Sequence, residues 1–174
     1  MDRSLEPVGI PARIANELLK HARDAVPEEC CGLIFGAAAR DYARHVACLN
    51  VMNRRHGEDP VAFPRDARTA YWMNEVDYLK ACTEAEARGE DVTAVYHSHV
   101  GTDAYLSELD LEYALHPLFP FPRADQIVVA VPEPDAAHLS LRELEDGTAE
   151  GIGIFVWYPE LGTFRGHRAR PTAS

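Results

Sequence analysis

Val92-Thr93-Ala94-Val95-Tyr96-His97-Ser98-His99 decides how this chain folds and what it carries. β-Branched and aromatic residues crowd the first six positions, the composition of a strand lying on a pleated sheet. A polar segment follows as far as Leu106, so the stretch reads as a strand feeding a loop. Side chains two apart on a strand share a face, which lets the imidazoles of His97 and His99 converge on one point at the strand's end.

Beyond the loop, Ser107 to Leu115 predicts a short helix stopped by Pro117. The loop can bring Asp110 back toward the two histidines. Two neutral imidazoles and one carboxylate leave a fourth tetrahedral position to water, the arrangement of catalytic rather than structural zinc. Each half also has a plainer reading. A His-x-His pair by itself is more often a surface or hydrogen-bonded pair, and Ser107 with Asp110 is by itself a helix capping box, Ser at N-cap and Asp at N3. Asp103 and Glu108 compete with Asp110 as third ligand, although Asp103 follows His99 closely and Glu108 points elsewhere on the same helix turn. His56 and His116 have no placed partner and read as surface residues.

Upstream, Ile14, Leu18, Leu19, Ala22 and Ala25 recur at helical spacing after Pro11, predicting a first helix that ends before Pro27. Cys30 to Gly36 is a short apolar run suited to a buried strand, with Arg44 to Asn50 as its hairpin partner. Asn53 to Arg68 is polar and broken by Gly57 and Pro60, which predicts a long surface loop; it is either a recognition element or a surface insertion without a partner. A strand is expected at Ala70 to Met73. Asn74 then caps a helix patterned by Val76, Leu79 and Ala87 and closed by Gly89.

Downstream, the proline-studded run from His116 to Pro122 must be a shaped loop. Its Leu118, Phe119 and Phe121 either dock a partner or, more commonly for such residues, pack on their own core. Strands are expected at Gln126 to Val131, Leu139 to Glu145 and Gly151 to Trp157, with a frayed tail after Gly162. Alternating helices and strands indicate an α/β or α+β sheet fold.

With 174 residues, 47% of them hydrophobic, the chain has material for one domain rather than two. The expected domain is 1–174, its core about 10–158 and 159–174 a C-terminal tail. A net charge of −11 with scattered basic residues excludes a nucleic-acid backbone as the main partner. Neither a secretory apolar run nor a membrane-spanning stretch is visible, so a soluble, cytoplasmic protein is expected. Cys30 and Cys31 are neighbours while Cys48 and Cys82 are isolated, so neither a Cys-x-x-Cys metal site nor a disulfide framework is expected.

His97-Ser98-His99, seven residues, Ser107, two residues and Asp110 together resemble the metal motif of the JAMM (MPN+) zinc peptidases. Val100 departs from that pattern, which usually has proline after the second histidine. The family also carries a glutamate three residues before a glycine that opens the first core strand, and Glu29-Cys30-Cys31-Gly32 matches it. The residues alone do not separate Glu28 from Glu29, and such a pair is usually a solvated helix end; the resemblance selects Glu29.

The resemblance runs from about Pro11 to Glu145 and implies a JAMM/MPN domain with a mixed, mostly antiparallel curved sheet flanked by helices, cytidine-deaminase-like in fold. It implies one Zn2+ per chain held by His97, His99 and Asp110, with Glu29 as general base and Ser107 assisting the oxyanion. Tyr96 beside the motif, with Thr102, Ala104 and Tyr105 in the loop, is similar to a bacterial branch that removes cysteine from the C-terminus of a ubiquitin-like sulfur-carrier protein. The implied partner is such a carrier, ending in Gly-Gly, and a homodimer is compatible. Two alternatives stand beside this reading: a non-catalytic MPN scaffold, and a zinc hydrolase of another small amide.

Overall fold

The computed structural model describes the chain from Asp2 to Ala173, apart from Arg3, Arg123 and residues 133–137. Strand β1 spans Val8–Pro11, β2 Cys31–Gly36, β3 Arg44–Cys48, β4 Asp91–Val100, β5 Asp125–Val131, β6 Ile152–Tyr158 and β7 Thr163–Thr172. Helix α1 spans Ala12–Ala25, α2 Met52–Glu58, α3 Glu75–Glu86 and α4 Glu108–Ala114. The strands form one curved mixed sheet in the order β1-β7-β6-β5-β4-β2-β3. Only β1 with β7 and β4 with β5 run parallel.

Strand β4 lies inside the sheet, antiparallel to β2 and parallel to β5. Its pleat divides the core. Ala94 and Tyr96 face α1, packing with Ile14, Leu18, Ile127 and Ile154. Val95 faces the opposite layer with Leu33, Phe35 and the α3 residues Ala81 and Ala85. Helix α1 buries Ile14, Ala15, Leu18, Leu19 and Ala22, the face its sequence spacing predicts, and ends ahead of Pro27. Strand β2 is buried along its whole length, which explains its continuous apolar run.

Gly32 marks the tightest point of this packing. A Cβ there would lie 2.3 Å from the Val46 carbonyl oxygen and 2.6 Å from the Tyr96 hydroxyl. The Tyr96 ring therefore occupies the space above β2, and its hydroxyl meets His21 Nδ1 and His45 Nε2, each at 2.7 Å.

Several expected elements differ. The segment 53–68 is not all loop: Met52–Glu58 form α2, with only Met52 buried. The following chain is pinned where Asn53 Oδ1 accepts the Ala67 N–H at 2.9 Å. Ala70 to Met73 contributes a single bridge, Asn50 to Met73, because the Asn50 side chain takes up backbone groups that a ladder would use. Leu139 to Glu145 likewise yields only the Glu143–Ala149 bridge, closed over a tight turn at Gly147. The tail is the largest correction, since Thr163–Thr172 form β7, hydrogen-bonded to β6 on one side and β1 on the other.

Helix α3 has the predicted Asn74 cap, whose side chain accepts from the N–H groups of Val76 and Asp77, and Gly89 follows it at φ +68°. It rotates differently from its apolar pattern, however. Ala81 and Ala85 are buried, whereas Val76 and Leu79 face solvent. In the proline-rich loop Phe119 packs into the core while Leu118 stays 84% exposed. All four cysteines are free thiols. Among the described residues no helix is long and apolar enough to cross a membrane.

Candidate metal centre

His97 and His99 leave β4 on the face opposite Tyr96, in register with Val128 and Ala130 of β5. Helix α4 begins beside them and presents Asp110 from its first turn. The three side chains meet: His97 Nε2 lies 3.1 Å from His99 Nε2, and Asp110 Oδ2 lies 3.4 Å from each. A tetrahedral zinc with bonds of about 2.0–2.1 Å spaces its ligand atoms roughly 3.3–3.4 Å apart, so the triangle has the edge length that ion requires. Among the described residues this is the only group of three such side chains whose ligand atoms converge.

Ring orientation supports the same arrangement. His99 Nδ1 is 3.3 Å from the Asp103 carbonyl oxygen, a contact that places the proton on Nδ1 and leaves the Nε2 lone pair facing His97 and Asp110. His97 Nδ1 is buried without a hydrogen-bond partner. Its ring is held instead by Tyr71, stacked on it at 4.6 Å and 23°. Three acceptor atoms pointing at one another in a buried place repel unless a cation lies among them. Burial works against a charged His99, yet the neighbouring carboxylates of Asp110 and Glu29 move its pKa upward. Burial would likewise raise Asp110, but His97, His99 and Ser107 hold its carboxyl far below the usual range.

Ser107 is the helix N-cap. Its Oγ accepts the Asp110 N–H at 3.2 Å, while the Ser107 N–H donates to Asp110 Oδ2 at 2.9 Å. The capping box thus aims the candidate ligand as well as starting the helix. Since Oγ is used as an acceptor here, its own O–H is left to donate elsewhere.

Glu29 is 7% exposed and sits at the entrance to β2. Burial pushes its carboxyl up to about 7, with the negative Asp110 adding to the push and His99 and Arg65 opposing it. Its charge is thus coupled to those of the candidate ligands. The Glu28 carboxylate accepts instead from Asn53 Nδ2 at 2.6 Å. Asp103 approaches only through its backbone carbonyl, and Glu108 is exposed. His116 is exposed and His56 Nδ1 lies 2.7 Å from the Phe63 carbonyl oxygen, so neither joins the centre.

Two contributors are missed by reading the sequence alone. Ser98, between the histidines, points to the opposite face and accepts the Cys30 N–H at 2.8 Å, fixing the backbone next to Glu29. The strand period itself could have signalled this, because the residue between two ligands must face away from them. Tyr71 comes from an irregular segment, and no spacing relates it to His97.

Comparison with known proteins bears on the whole assembly. A family profile described as prokaryotic homologs of the JAB domain matches residues 11–142. The chain belongs to the prokaryotic JAB family. Its JAB relatives include the CysO-cysteine peptidases of Mycobacterium bovis and Mycobacterium tuberculosis, each 27% identical over 152 residues, covering 86% of this chain and 92% of theirs. The 26S proteasome regulatory subunit RPN11 of Eremothecium gossypii is 30% identical over 112 residues, 64% of this chain but 34% of that protein. A solution structure from Desulfitobacterium hafniense shares the fold with a TM-score of 0.64 at 19% identity, covering 95% of this chain and 93% of that one. The JAB match spans every residue of the centre, from Glu29 through Asp110.

Proposed function

We propose that this JAB-family chain is a zinc-dependent peptidase that hydrolyses a peptide or isopeptide bond at the C-terminus of a ubiquitin-like sulfur-carrier protein ending in Gly-Gly. The observation that carries the reading is the His97, His99 and Asp110 triangle, with ligand atoms 3.1–3.4 Å apart beside the buried Glu29. Support for the substrate comes from the mycobacterial relatives, which are named as peptidases of a CysO-cysteine adduct.

In this reading His97, His99 and Asp110 hold one Zn2+. Bound zinc supplies Lewis acidity, polarising a carbonyl and lowering the pKa of a water from about 16 to about 7. Glu29 takes the proton of the attacking water and passes it to the leaving amine, a role suited to a carboxyl whose burial has raised its pKa to about 7. The Ser107 O–H, left unused by the cap, donates to the developing oxyanion. Ser98 and Asn50 keep Glu29 in place through the flanking backbone, Ser98 at the Cys30 N–H and Asn50 Nδ2 at the Glu29 carbonyl oxygen, 2.9 Å away. Tyr71 shields one face of His97 from water.

The test is to incubate zinc-loaded protein with carrier-cysteine adducts, ubiquitin-like conjugates and short amides, and to read products by intact mass, with Glu29→Gln alongside. Release of the residue beyond Gly-Gly supports the proposal. Cleavage of short amides alone would assign a different substrate, and no cleavage of any of them would contradict the peptidase reading.

A further inference from the structure

The two imidazoles of the metal centre are supported unequally. A histidine that binds a metal through Nε2 carries its proton on Nδ1, and an acceptor for that proton fixes the ring. His99 has one, since its Nδ1 lies 3.3 Å from the Asp103 carbonyl oxygen. His97 has none among the described residues: its side chain is fully buried and its Nδ1 is without a hydrogen-bond partner. Acceptors of this kind are typically worth roughly 10–100-fold in metal affinity. Something else has to hold His97 in place.

Tyr71 lies where that support is needed. Its ring is stacked on the His97 ring, with centroids 4.6 Å apart and planes inclined by 23°. The other ring pairs at the centre are steeply inclined, His97 with His99 at 56° and His99 with Tyr105 at 63°. An imidazole whose Nε2 binds a cation gains positive character, and the face of an aromatic ring attracts positive charge. The stack therefore fixes the plane of the His97 ring and also favours its metal-bound form over its free form.

Tyr71 is itself clamped, although it belongs to no helix or strand. The Asn50 side chain grips the backbone on both sides of it: Nδ2 donates to the Ala70 carbonyl oxygen at 3.1 Å, and Oδ1 accepts the Trp72 N–H at 3.0 Å. Asn50 Nδ2 also donates to the Glu29 carbonyl oxygen at 2.9 Å, and Oδ1 accepts the Met52 N–H at 3.0 Å. Reversing the amide would set donor against donor, so its orientation is fixed. The Trp72 carbonyl oxygen accepts the Val51 N–H at 2.8 Å, and Tyr113 of α4 meets the Tyr71 ring edge-on at 6.4 Å and 87°. One amide thus ties the ring that backs His97 to the segment that carries Glu29.

Resting on the zinc centre proposed above, we infer that Tyr71 is a positioning residue for the metal ligand His97, its stacked ring standing in for the missing Nδ1 acceptor. It governs how tightly the metal is kept and takes no part in bond making. The effect belongs to the ring, so phenylalanine replaces it and an aliphatic side chain does not.

The test measures zinc affinity by competition with a chromophoric chelator, with urea unfolding of the metal-free proteins alongside. Tyr71→Phe should bind zinc within about threefold of the wild type, and Tyr71→Leu roughly tenfold or more weakly, the scale of one aromatic stack. Tyr71→4-cyanophenylalanine keeps the shape of the ring and withdraws electrons from its face. It should bind zinc several-fold more weakly than Tyr71→Phe, a difference that a space-filling role would not produce. Wild-type affinity in a folded Tyr71→Leu would overturn the inference. If that variant does not fold, equal affinity in Tyr71→Phe and Tyr71→4-cyanophenylalanine would overturn it. Failure of the wild-type protein to bind zinc would defeat the metal reading itself, a result distinct from any difference among the Tyr71 variants.

Discussion

Ser98 Oγ accepts the backbone N–H of Cys30 at 2.8 Å, joining the strand that carries both histidines to the segment that carries Glu29. The Ser98 N–H in turn donates to the Cys30 carbonyl oxygen at 3.1 Å. The proposed general base and the proposed metal ligands are therefore held in one frame by a residue whose side chain faces away from His97 and His99. Ser98→Ala leaves the Cys30 N–H buried without a partner, which should cost about 1–3 kcal/mol in denaturant unfolding. Turnover should fall along with stability while zinc content is unchanged. Loss of zinc in this variant would show that Ser98 acts on the histidines and not on the Glu29 segment.

Ser107 is the N-cap of α4 and the proposed oxyanion donor, two roles that can be separated. As N-cap it contributes about 1 kcal/mol to stability, and as oxyanion donor it should be worth roughly 10²–10³ in kcat. Ser107→Ala is expected to show both losses, measured by urea unfolding and by steady-state kinetics. A stability loss with unchanged kcat would reduce it to a cap.

Tyr96 Oη lies 2.7 Å from both His21 Nδ1 and His45 Nε2, and its single proton can be donated only to a neutral imidazole, so at least one of the two is neutral. Burial and the neighbouring His21 push the His45 pKa down to about 4, with Glu17 opposing and Arg13 reinforcing, and burial also lowers His21. A group with a depressed folded pKa binds more protons when unfolded. Its contribution is therefore complete above about pH 6.5 and declines as pH falls toward 4, by up to about 3 kcal/mol for His45. Urea midpoints measured from pH 7.5 to 4.5 should show this decline, and His45→Gln should flatten it. An equal slope in the variant would place the acid sensitivity elsewhere.

Much of the centre can be read from the sequence because its rules are local. Strand alternation puts His97 and His99 on one face, and a capping box puts Asp110 in the first turn of α4. Strand β2 and helix α1 follow from apolar spacing in the same way. Strand β7 is different: its Arg165, Arg168 and Arg170 dilute the apolar signal, and it is held by β1, which lies far away in the chain. Helix α2 is obscured by Gly57 and by its nearly full exposure, because only Met52 reaches the core. Residue chemistry does not separate Glu29 from Glu28, a choice that the resemblance makes through the spacing to Gly32, and Tyr71 reaches His97 from an irregular segment that no period describes.

The most direct measurement is metal content paired with cleavage. Purified protein should contain one zinc per chain, lose it together with activity on chelation, and recover both on adding zinc back. Single alanine variants of His97, His99 and Asp110 should lose the metal. Glu29→Gln should keep it while releasing the Gly-Gly adduct roughly 10²–10⁴-fold more slowly. Protein without stoichiometric zinc that cleaves no carrier adduct after zinc is restored would contradict the account.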